Sequence, residues 1–127
     1  MVKDMNPSRE EIRKAARQLV QKKEVSIGGI VCKPESFFGH RGFIIHGKRR
    51  LYVHPFKAEV ISTNNKYLWP KIYTEIFAFA LERFFFDPNS FAAHGYMIDV
   101  GQDANNWHIC VAIFPMMVPG VRKLFYG

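Results

Sequence analysis

Between residues 70 and 86 only Lys71, Thr74, Glu75, Glu82 and Arg83 are polar. Proline at the head of this run sits where a helix tolerates it, because the first turn has no use for its missing N–H. The run therefore predicts a helix that is apolar round most of its circumference, and such a helix cannot rest on a surface. It has to lie deep against a sheet, at the centre of the core, and the rest of the chain has to supply that sheet. Asp87-Pro88-Asn89-Ser90 closes it with strong turn chemistry.

The first element is read from residues 9 to 23. Ser8 and Glu11 have the spacing of a capping box, in which each residue satisfies a backbone N–H of the other. Ile12, Ala15, Ala16, Leu19 and Val20 recur at helical spacing and make one narrow apolar stripe. Arg9, Arg13, Lys14, Arg17, Lys22 and Lys23 fall on the other side, so the helix is amphipathic with a basic outer face.

Residues 25–32 read as a first strand, kinked at Gly28-Gly29 and ended by Lys33-Pro34. Residues 42–46 and 50–54 flank Gly47-Lys48-Arg49 as the arms of a β-hairpin with a basic tip. Residues 56–63 also read as extended, with Phe56, Ala58 and Val60 on one face and Lys57 and Glu59 on the other, and the chain turns at Asn64-Asn65. After the apolar helix, residues 95–100 and 107–114 form two more strands, the last apolar on both faces as a central strand should be. Residues 121–126 form a short helix or a packed tail.

The order α-β-β-β-α-β-β predicts an α+β fold. An antiparallel sheet of about five strands carries a buried central helix and the N-terminal basic helix on one face. No internal repeat or long Pro/Gly/Ser linker divides the chain, so residues 1–127 are expected to form a single domain. In element order alone the layout is similar to that of the chaperones serving type III export, which are generally acidic where this chain is basic.

Residues 1–17 are polar and charged where a secretory leader would be apolar, and the expected location is the cytoplasm. The apolar run 109–121 is interrupted by Pro115 and Pro119 and is shorter than a membrane helix needs. Cys32 and Cys110 lack CxxC spacing and fit a reducing compartment. Twelve Phe, five Tyr and two Trp give an aromatic-rich core.

Charge divides the chain unevenly. The net charge is +7, but residues 1–57 hold 13 Lys/Arg against 5 Asp/Glu, whereas residues 58–127 hold 5 against 6. A basic half of this kind suits a polyanion. The candidate surface runs through the hairpin, where Arg41, Lys48, Arg49, Arg50 and Lys57 would neutralise phosphates and Phe43 and Tyr52, if exposed, would offer rings for bases to stack on. Arg13, Lys14 and Arg17 on the first helix would extend the footprint.

Catalytic and metal chemistry have less support. No close His or Cys pair traces a zinc site, and His46 and His54 across the hairpin would give two ligands at most. Cys32 with His94 or His108 and Asp99 or Asp103 supplies the residue types of a thiol triad, without an activated setting for the thiol. Neither GxxxxGK[ST] nor GxGxxG occurs, so no nucleotide cofactor is expected. The leading expectation is a non-enzymatic binding protein whose basic N-terminal half holds a polyanion, first of all nucleic acid. The alternative is an adaptor, chaperone or inhibitor that docks an acidic protein, with a homodimer formed through the Met116–Met117 region. The third is a small metal-independent ribonuclease using His46, His54, Arg50 and Tyr52.

Overall fold

The computed structural model describes residues 6–37, 40–46, 50–55, 66–87, 97–103, 106–113 and 115–126. Helix α1 spans Arg9–Val20. Ser8 and Glu11 form the expected capping box: the Ser8 N–H donates to Glu11 Oε1 at 2.9 Å, and the Glu11 N–H donates to Ser8 Oγ at 3.2 Å. The helix stops at Val20, short of Lys23, because Lys22 turns into the left-handed region at φ 65°. The Lys22 N–H then reaches the Leu19 carbonyl and the Lys23 N–H the Gln18 carbonyl, a paired closure that satisfies two end carbonyls.

The sheet is built from β1 (Val25–Ile27), β2 (Ile30–Phe37), β3 (His40–His46), β4 (Arg50–Pro55), β5 (Met97–Asp103) and β6 (Asn106–Ile113), in the spatial order β1-β2-β3-β4-β6-β5. Two expectations need correction. The predicted first strand is two strands, because Gly28 at φ 57° and Gly29 at φ 81° make a two-residue hairpin turn of the kind that needs positive φ at both positions. Strand β2 also runs through Pro34. Its pairing with β1 ends at Cys32, so Pro34 lies where β2 is an edge and a missing N–H breaks no ladder on that side. The sheet thus has six strands rather than five, and β4 pairs with β6 in parallel, so it is not purely antiparallel. The predicted segment 56–63 lies outside the described residues.

Helix α2 covers Leu68–Phe86. Ile72, Ile76, Phe77, Ala80 and Leu81 are buried in one apolar cluster with Ile12, Ala15, Ala16 and Leu19 of α1 and with Cys32, Phe43, Ile45 and Ile113 of the sheet. Register explains why those four sheet residues meet the helices. Cys32 faces Ile45 across β2–β3, Phe43 faces Val53, and Val53 and Pro55 face Val111 and Ile113, so all four belong to one side of the sheet. The helices therefore lie on that side. Trp69, Tyr73 and Phe77 repeat at helical i, i+4 spacing, with ring centroids 6.0 Å and 5.9 Å apart, and Phe43 meets Phe77 edge-on at 5.0 Å. Such ring pairs contribute about 0.5 to 1.5 kcal/mol each beyond the area they bury.

A 3₁₀ turn at Pro115–Met117 leads into helix α3, Pro119–Tyr126. Pro115, Val118 and Val121 are buried and Met116 packs against the core, while Met117 is exposed. No helix among the described residues is long and apolar enough to cross a membrane.

Candidate nucleic-acid interface

The outer face of α1 carries the expected cations. Lys14 and Arg17 are exposed, and Lys22 and Lys23 continue the charge past the helix end. Arg13 differs from them. Its side chain leans over α2, where Nη1 donates to Glu75 Oε1 at 3.3 Å and Nη2 bonds the second carboxylate oxygen. That two-point bond, the largest influence on the group, raises the guanidinium pKa further above its ordinary value. Arg13 ties α1 to α2, and its charge is matched inside the molecule.

Arg41 has an internal role as well. Its Nη2 donates to the Val20 carbonyl at the last turn of α1, and its guanidinium lies over the Tyr73 ring. A cation at a helix C-terminus is favoured by the unsatisfied carbonyls and by the helix dipole. Phe43 is 0% exposed and locked edge-on against Phe77, so it presents no ring to a base. The expected stacking role of Phe43 is therefore corrected to a core role. Its strand neighbours show the cause: Phe43 and Ile45 point to the helix side, where residues two apart on a strand share a face.

Of the remaining candidates, Arg50 and Tyr52 belong to β4, with Arg50 paired to His108 of β6 and Tyr52 paired to Ile44 of β3 and Cys110 of β6. Lys48, Arg49 and Lys57 lie outside the described residues.

Exposed cations among the described residues that were not sequence candidates include Lys71 on α2, and Arg122 and Lys123 on α3. Lys71 had a signal, since a lysine in an otherwise apolar helix has to sit at the rim where that helix meets water. Arg122 and Lys123 belong to a terminal segment whose helical state the sequence left open. Between α1 and α2 a groove of about 440 Å³ is lined by Arg13, Arg17, Val20, Pro70, Lys71 and Leu124, among others. Two further groups bear on chemistry. Burial pushes the Cys32 thiol up to about 12, so it remains protonated and is no nucleophile at neutral pH. Among the described residues no group of His, Cys, Asp and Glu is placed to hold a metal ion.

Comparison of the chain with protein-family models, with curated proteins and with solved structures finds no match.

Proposed function

We propose that this chain is a non-enzymatic binding protein that holds a nucleic acid through its basic N-terminal half, with the outer face of α1 as the described part of the contact. The observation that carries this is the exposure of Lys14, Arg17, Lys22 and Lys23 along one helix and its end, with Lys71, Arg122 and Lys123 exposed on the other two helices. Lys and Arg displace the counterions of a phosphate backbone, so the interaction is electrostatic and indifferent to sequence. With Phe43 in the core, stacking contributes less than the residue types suggest. Neutralising about four phosphates gives log K against log[salt] a slope of roughly −3 to −4 on duplex DNA.

The test is a salt titration of labelled single- and double-stranded DNA and RNA against the whole chain, with the RNA afterwards examined for cleavage. Binding that weakens steeply with salt, and that Lys14→Glu with Arg17→Glu reduces about tenfold or more, is the expected result. Arg49→Glu with Arg50→Glu tests the hairpin arm in the same way. Absence of binding at low salt removes the proposal, and RNA cut without added metal replaces it with the ribonuclease.

A further inference from the structure

The groove between α1 and α2 has a different chemistry from the outer face of α1. Arg13, Arg17 and Val20 stand on one stripe of α1, at i, i+4 and i+7, and Pro70 and Lys71 face them from the first turn of α2. Leu124 of α3, 37% exposed, lies along the same groove. Arg13 is matched by Glu75, which leaves the charges of Arg17 and Lys71 on opposite walls beside the apolar Val20, Pro70 and Leu124, with Gln21 and Thr74 completing the lining.

A phosphate backbone matches the cations of such a groove and leaves its apolar residues uncovered. An acidic peptide with apolar side chains at helical spacing matches both. The stripe from Arg13 to Gln21 rises about 12 Å at 1.5 Å per residue, which accommodates roughly two turns of a bound helix.

We propose that the α1–α2 groove is a docking site for an acidic, leucine-bearing segment of a partner protein, with apolar side chains seated on Val20, Pro70 and Leu124 and carboxylates paired to Arg17 and Lys71. This goes beyond nucleic-acid binding by the outer face of α1 and is read by a separate experiment.

Fluorescence anisotropy of the full chain with a labelled Glu-rich peptide of about twelve residues carrying leucines at helical spacing provides the test, beside a matched peptide with serine for every leucine. The leucine peptide is expected to bind about tenfold tighter or better, as seated apolar anchors require. Lys71→Glu and Leu124→Ser are each expected to weaken it about tenfold, whereas Lys33→Glu, the same charge reversal on β2, leaves it unchanged. Amide shifts on adding the peptide should centre on Arg17, Val20, Lys71 and Leu124. Equal affinity for the two peptides, no binding of either, or equal loss with Lys33→Glu and Lys71→Glu overturns the proposal. No nucleic acid enters the readout, so failure of the nucleic-acid proposal leaves this result standing.

Discussion

The Arg41 guanidinium lies over the Tyr73 ring, 4.9 Å from its centre, and joins the sheet to both helices by also donating to the Val20 carbonyl. A desolvated cation–π contact contributes about 1 to 2 kcal/mol, and a hydrogen bond from a charged donor about 1.5 to 3 kcal/mol. Arg41→Ala is therefore expected to lower stability in urea denaturation by about 2 kcal/mol or more. A double-mutant cycle with Tyr73→Leu should recover a coupling of about 1 kcal/mol. A cycle with no coupling would show that the two groups merely adjoin.

The Tyr73 hydroxyl is buried without a hydrogen-bond partner among the described residues. Burial raises its pKa, and the Arg41 charge opposes that rise. Removing an unpaired buried hydroxyl relieves a desolvation cost, so Tyr73→Phe is expected to be neutral or to stabilise by up to about 1 kcal/mol. Destabilisation beyond that range in thermal or urea unfolding would mean that the hydroxyl is satisfied.

Phe43 separates a core role from a binding role. Phe43→Ala should cost about 3 to 5 kcal/mol of stability, as loss of a buried ring does. Phe43→Leu keeps the core filled, and its folded protein should bind oligonucleotides as the parent does. A selective loss of affinity in well-folded Phe43→Leu would restore the ring to the interface.

At Gly120, in the first turn of α3, an added Cβ would collide with Glu75 Oε1. Gly120→Ala must therefore displace the carboxylate that Arg13 holds, at a cost of about 1 kcal/mol. In a Glu75→Ala background the obstruction is gone, and the same change should stabilise by about 0.5 to 1 kcal/mol through helix propensity. The difference between the two backgrounds, about 1 kcal/mol, is the readout, measured by urea denaturation of the four proteins.

Cys32 gives an alkaline signature. Its folded pKa of about 12 stands above the ordinary 9.0, so the folded chain keeps a proton that the unfolded chain releases. Its contribution to stability is complete below pH 9 and declines as pH rises from about 9 towards 12. Cys32→Val should flatten that decline in Tm measurements. In a Cys110→Ala background, a thiol reagent at pH 8 should leave the native protein unmodified and label it once unfolded in urea.

Much of this architecture is legible in single residues. Ser8 and Glu11 mark the start of α1 because capping is local, and the apolar run after Pro70 marks α2 because nothing but burial suits it. What depends on distant partners is hidden. Gly28-Gly29 reads equally as a kink or as a hairpin turn, and the choice is made by β2, whose residues Ile30 and Cys32 pair back onto Ile27 and Val25. Arg41 and Arg13 look like members of one basic surface, but Val20 and Glu75 engage them from far along the chain, which composition cannot register. Phe43 stands between Gly42 and Ile44, so its strand shows no alternation to orient it, and the position of Phe77 decides which way its face is turned.

The parallel pairing of β4 with β6 has a consequence for dissecting the molecule. Charge divides the chain near residue 57, and that invites expression of the basic half by itself. Strand β6 returns from the far side of α2 to lie between β4 and β5, so a fragment ending after β4 would carry an open strand edge and an uncovered apolar face. The basic half should aggregate when expressed alone, and the boundary that the charges draw is not one at which the protein can be cut.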